Sequence, residues 1–295
     1  MNLQPLFALP LESQHKFPDS HPGQASDVWK VVTREGTCVV RASRMRERPT
    51  DEFWCGSYTL FGVDPTDVTA LPAVHSTLQD LSQIRIPEIY RVESLCGRAF
   101  ALVEWLPGDP LRSFQDLPGA VAEALGRSLA LVHSYFFGVY GDVQGRVRHP
   151  LLQFPQRLAD VMQQLAQHFY SQHPAVQSRL AEMLDAAVRL PAPDSASLIL
   201  LDMDPTQFLS DGKCLTGLVD VEFYAVGPRE WDLVALEYLL DDRRAKVFRR
   251  AYESVLPFPD LAQVRTVYRF LHRLMSVQGA VDVAAWLAEP ARFDD

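Results

Sequence analysis

The chain has 295 residues, 47% hydrophobic and 22% charged, the balance of a soluble globular protein with a core large enough for one large domain or two smaller ones. Its formal net charge of −9 argues against a general nucleic-acid binder, which needs Lys and Arg to neutralise phosphates. No run approaches the ~20 uninterrupted apolar residues of a membrane span, and Met1 to Pro18 lacks a basic region leading into an apolar core, so a cytoplasmic location is expected. Cys38, Cys55, Cys96 and Cys214 are scattered without metal-ligand spacing, which points to neither a zinc site nor a disulfide framework.

In chain order, His21 to Asp27 is a polar turn with one glycine, Gly23. Val28 to Thr33 and Thr37 to Ser43 are rich in β-branched and aromatic residues and flank Arg34-Glu-Gly36, the pattern of a β-hairpin. Arg41 interrupts the second strand, where a cation either finds an anionic partner or faces outward from a sheet edge. A short helix is predicted at Asp51 to Trp54 and another over Asp67 to Leu81. Ile84 to Val92 and Arg98 to Trp105 read as two further strands, and Leu106-Pro-Gly-Asp-Pro110 ends the second abruptly.

Beyond that break the apolar residues recur at helical spacing, predicting helices over Ala120–Tyr135, Phe154–Phe169 and Ala175–Leu190 and two or three more between Leu233 and Leu287. The change at Leu106 to Asp109 reads as a boundary between a β-rich part and a helical part. The stretch from Leu198 to Glu222 stands apart. Two apolar runs each deliver a carboxylate, Asp202 and Asp220, and Asp211-Gly212 between the runs is a hairpin signal. Carboxylates beside buried apolar runs require a cation, a proton or a hydrogen-bond donor, so metal or proton-transfer chemistry is one reading and a pair of solvated turn aspartates the other.

Leu200-Leu-Asp-Met-Asp-Pro-Thr-Gln-Phe-Leu209 resembles the His-Gly-Asp-Leu-His-Pro-Gly-Asn-Val-Leu catalytic loop of the aminoglycoside phosphotransferase and choline kinase-like family. Leu218-Val-Asp-Val-Glu222 is similar to that family's Ile-Asp-Trp-Glu strand, Gly23 to Ser43 to its phosphate loop and first hairpin, Ala101 to Gly108 to its hinge, and Ala124 to His133 to the helix ending in Leu-His. The resemblance covers most of the chain. It implies an α+β, bilobal protein-kinase-like fold, with a small β-rich nucleotide-binding N-lobe over residues 1–105 and a larger, mainly helical catalytic lobe over 106–295. It also implies ATP or GTP as phosphoryl donor, Mg²⁺, and a small-molecule hydroxyl acceptor.

On that resemblance Asp202 is the catalytic carboxylate, while Asp220 and Gln207 are the Mg²⁺ ligands. Arg41 meets the α/β-phosphates in place of lysine, Gly23 and Ser26 belong to the phosphate loop, and backbone groups of Glu104 and Leu106 meet the nucleobase. The sequence departs from the family pattern at Leu200 and Asp204, where histidines are usual, and at Gln207, where asparagine is usual. The glutamate usual on the helix before Ile86-Pro87 is missing, with Val74 or His75 at its place; Glu52 is the alternative partner expected for Arg41. Two readings follow: an active kinase of a small molecule, or a catalytically weak or inactive relative that binds a nucleotide or a partner protein.

Overall fold

The structure is a computed structural model that describes residues 1–18, 26–45, 47–48, 50–279 and 281–294. Its N-terminal part is built on β1 (Ser13–Lys16), β2 (Ser26–Thr33) and β3 (Gly36–Ser43), then α1 (Glu52–Phe61), α2 (Leu71–Leu81), β4 (Ile89–Leu95) and β5 (Arg98–Glu104). The five strands form one antiparallel sheet in the order β1-β2-β3-β5-β4. The predicted hairpin is β2–β3, closed by Thr33 opposite Gly36 and placing Val28 opposite Arg41. Because strand side chains alternate, Trp29, Val31, Val40, Ala42, Phe100 and Leu102 share one face and are covered by Leu3 and Leu6. Arg41 is therefore on the opposite face of a central strand, which rules out the outward edge position.

Asp27 fastens this sheet. Its carboxylate takes Lys16 from β1 at 2.7 Å, Arg44 after β3 at 2.7 Å and Arg98 from β5 at 2.8 Å. Burial works against its charge, yet these three cations hold its pKa down to about 2.

The remainder comprises β6 (Asp109–Pro110), α3 (Gly119–His133), β7 (Val139–Asp142), β8 (Arg148–Pro150), α4 (Phe154–Phe169), α5 (Pro174–Arg189), β9 (Ser197–Leu200), β10 (Phe208–Ser210), β11 (Leu215–Leu218) and β12 (Tyr224–Gly227), followed by α6 (Glu230–Leu239), α7 (Asp242–Glu253), α8 (Arg265–Leu274) and α9 (Val283–Leu287). The short strands form a sheet ordered β8-β7-β12-β9 and another ordered β11-β10-β6, and the helices bury them in the largest apolar core. The predicted α3, α4 and α5 match to within two residues. Between Leu233 and Leu287 the described residues make four helical segments rather than two or three, α6 starting slightly earlier at Glu230.

Three expectations are corrected. The strand expected from Ile84 starts only at Ile89, because Pro87 has no N–H for a ladder and the Arg85 carbonyl instead accepts from Leu218 N at 2.9 Å. The short helix at Asp51 continues to Phe61, capped by the Asp51 side chain on Trp54 N and ended by Gly62 at φ +75°. A Cβ at Gly62 would meet Val147 at 2.6 Å, so only glycine lets α1 lie against the β7–β8 hairpin. Finally, the run from Leu198 to Leu209 is two strands: β10 pairs with β11 across Asp211–Gly212, as the hairpin signal predicts, while β9 pairs with β12.

The two parts are also interlocked. Trp54, Leu60, Phe61, Val74 and Leu78 of α1 and α2 belong to the large core, and Phe61 packs edge-on against Tyr140 and Trp231.

Candidate active site

The chain leaves β11 at Leu218 and reverses at Asp220, whose backbone is left-handed at φ +59°. Aspartate tolerates that conformation better than most residues. The reversal lets two carboxylates two residues apart reach one guanidinium. Arg41 Nη1 lies 2.6 Å from Asp220 Oδ1, and Nη2 pairs with Glu222 Oε1. Burial works against the Arg41 charge, but the two carboxylates outweigh it and raise its pKa above the ordinary value. Burial pushes the Glu222 carboxyl up, and Arg41 pulls it only part of the way back.

The two acids differ in exposure: the Asp220 side chain is 46% exposed and Glu222 16%. Arg41 thus takes its expected anionic partner from the 220–222 turn and not from Glu52, which sits in the first turn of α1 and makes no ion pair with Arg41 among the described residues. Helix α2 offers no carboxylate in its place. His75 is buried there, its Nδ1–H donates to the Pro87 carbonyl at 2.7 Å, and burial lowers its pKa to about 4, so the ring is neutral at pH 7.

Gln207 connects the two halves of the site. Its Nε2 donates to the Asp202 carbonyl at 2.8 Å, and its own carbonyl accepts from Val219 N at 2.8 Å. The side chain is buried and its Oε1 has no partner. A buried amide oxygen left open, on a residue bonded through its backbone to the neighbour of the half-exposed Asp220, and the Asp220 carboxylate are hard oxygen donors of the kind Mg²⁺ accepts. Among the described residues no group of three or more His, Cys, Asp or Glu converges to hold a metal ion. Asp204 caps the turn, accepting from Thr206 N at 2.7 Å and Thr206 Oγ1 at 2.6 Å.

The loop carrying Asp202 is held from behind by residues that sequence reasoning did not single out. Asp232, fully buried, accepts the Leu200 N–H at 2.9 Å and His133 Nε2–H at 3.2 Å, and His133 Nδ1 meets Tyr252 Oη at 2.9 Å. An aspartate inside the apolar run Trp231 to Ala235 and the terminal His133 of the Ala124–His133 helix are the signals in the sequence that point to this network.

At the expected hinge, Glu104 turns its side chain to Arg85 and to Glu88 N, and its N–H donates to the Glu88 carbonyl at 2.8 Å. Leu106 is buried, and its N–H has no hydrogen-bond partner among the described residues. Ser26 opens β2 and lines a cleft shared with Asp64, Val74, Asp142, Glu222 and Tyr224. Gly23 lies outside the described residues.

An antiparallel sheet over a mainly helical part, joined through Arg41 and the Asp220 turn, defines an α+β protein with a bilobal protein-kinase-like fold. Residues 20–271 match the model of the phosphotransferase enzyme family, and the chain belongs to that family. No curated protein matches it in sequence. Among solved structures it is similar to the macrolide 2'-phosphotransferase MphH from Brachybacterium faecium, at 18% identity and TM-score 0.61, covering 98% of this chain and 97% of that one. A type I macrolide 2'-phosphotransferase matches at 15% identity and TM-score 0.64, over 97% and 93% of the two chains. A thermostable mutant of the aminoglycoside phosphotransferase APH(4)-Ia, in ternary complex with ADP and hygromycin B, matches at 17% identity and TM-score 0.63, over 97% and 93%. No helix among the described residues is long and apolar enough to cross a membrane.

Proposed function

We propose that this protein transfers the γ-phosphoryl group of ATP or GTP to a hydroxyl of a small molecule. The observation that carries the reading is the ion pair of the buried Arg41 with Asp220, which joins the N-terminal sheet to a turn where the side-chain amide oxygen of Gln207, Oε1, is left without a partner. Phosphoryl transfer asks the protein mainly for positioning and charge neutralisation, and these groups supply both. Residues 1–105 act as the nucleotide-binding lobe and 106–295 as the catalytic and acceptor lobe. The unpartnered Leu106 N–H and the Glu104 carbonyl face the nucleobase, Gly23 and Ser26 the phosphates, and Arg41 the α/β-phosphates.

Asp220 and Gln207 hold Mg²⁺, which when bound neutralises charge on the phosphates. Asp202 orients the acceptor hydroxyl and receives its proton. The ADP and hygromycin B carried by the APH(4)-Ia structure support a nucleotide donor and a hydroxylated acceptor.

The test is ADP release across a panel of hydroxylated antibiotics and metabolites, run beside calorimetric nucleotide binding. Asp202→Asn is expected to bind nucleotide as the wild type does and to lose at least about a thousandfold in turnover, and Asp220→Ala to lose Mg²⁺-dependent binding. Wild-type turnover in Asp202→Asn would remove Asp202 from its role. Mg²⁺-dependent nucleotide binding with no ADP release on any acceptor would make the protein a nucleotide-binding relative instead.

A further inference from the structure

Arg41 has two carboxylate partners, and they are not equivalent. Asp220 is nearly half exposed, so it is free to exchange Arg41 for a metal ion, whereas Glu222 is mostly buried with its second oxygen, Oε2, bonded to nothing. Helix α2, which packs on the 221–223 turn, brings only the neutral His75 toward the pair; its one acid, Asp80, is exposed. Nothing else among the described residues makes an ion pair with Arg41.

We propose that Glu222 is the positioning residue for Arg41, doing from the metal-binding turn the work expected of a helix glutamate. The inference rests on the phosphotransferase reading, in which Arg41 meets phosphate and Asp220 meets Mg²⁺. When the nucleotide and its metal arrive, Asp220 releases the guanidinium. Glu222 keeps hold of Nη2 and leaves Nη1 directed at the phosphates. Since Asp220 and Glu222 are two residues apart on one turn, the orientation of Arg41 and the placement of the proposed metal ligand are set together. Without the Glu222 charge, Arg41 retains a single carboxylate, Asp220, and closes on it, so that phosphate and metal must both break the same ion pair before binding. Removing Arg41 instead strands the buried Glu222 charge, a costly arrangement that neutralising Glu222 relieves.

Four proteins test this: wild type, Glu222→Gln, Arg41→Met and the double variant. In thermal unfolding, Arg41→Met should melt below wild type and the double variant above Arg41→Met; losses that add would refute the pairing. In calorimetric titration with ADP in EDTA, Glu222→Gln should bind about tenfold more weakly than wild type, yet cause no further loss in the Arg41→Met background. The Mg²⁺ concentration that half-maximally tightens ADP binding should rise about tenfold in Glu222→Gln and fall back in the double variant. Affinity within twofold of wild type in Glu222→Gln, or a second tenfold loss on top of Arg41→Met, overturns the positioning role. If wild type itself fails to bind ADP, the phosphotransferase reading fails, while the melting temperatures still decide the Arg41–Glu222 pairing.

Discussion

Replacing Asp232 by alanine should destabilise the protein strongly. Asp232 is fully buried and accepts two hydrogens, one from the Leu200 backbone and one from His133 Nε2. Truncation leaves both donors without a partner in the core, at about 1–3 kcal/mol each. Burial already pushes the Asp232 carboxyl up, against the opposing pull of His133, so losing the charge offsets part of that loss. The net cost is about 3 kcal/mol, equivalent to a melting point lower by about 5 °C in a chain of this size. Urea unfolding followed by tryptophan fluorescence reads the difference, since Trp231 adjoins the site. Asp232→Asn keeps an oxygen for the Leu200 N–H and should cost about half as much. An Asp232→Ala variant within 1 kcal/mol of wild type, or one equal to Asp232→Asn, would refute the bracing role.

Two further outcomes follow from the packing and charges. The folded pKa of Asp27 lies below its unfolded value of 3.8, at about 2, so its clamp stabilises the sheet above pH 4 and that stabilisation is lost as the pH falls from 4 toward 2. The loss should be about 1 kcal/mol after solvent screening, and Asp27→Asn should unfold with a flatter pH dependence across that window; an unchanged slope would show that the three cations do not act on Asp27. Gly126 of α3 lies where a Cβ would fall on the Phe248 carbonyl oxygen of α7. Gly126→Ala should therefore cost about 2 kcal/mol in chemical denaturation, while Gly119→Ala, with nothing within 4 Å, should be neutral or slightly stabilising; equal behaviour of the two would count against close α3–α7 packing.

Much of the site was legible in the sequence because its residues are chemically out of place there. A guanidinium in an apolar strand demands an anion, and two carboxylates ending apolar runs demand compensation, so Arg41, Asp202 and Asp220 announce themselves. Glu222 does not, since the direction its side chain takes, two residues past Asp220, follows only once the left-handed turn at Asp220 is known. The Asp232 network is less visible still: its partners Leu200 and His133 lie 32 and 99 residues away in sequence, and such contacts leave no periodic trace. The short strands β1, β7 and β8 escaped for a different reason. β1 is four exposed polar residues with no alternation to read, and β7 and β8 are too short to carry a period.

Leu200 and Gln207 are both built into the framework of the Asp202 loop, for separate physical reasons. Asp232 grips the backbone N–H of Leu200, and any side chain there provides that donor; the Leu200 side chain itself is buried in the large core, so the loop is braced through Asp232 without a histidine at this position. Gln207 carries one more rotatable bond than asparagine, and its rotamer freedom would ordinarily oppose holding a ligand oxygen in place. That freedom is already spent in tethering Nε2 to the Asp202 carbonyl. The tether also fixes where Oε1 lies relative to Asp202, so the glutamine that departs from the usual pattern ties the oxygen proposed for Mg²⁺ to the loop that bears the carboxylate proposed for catalysis.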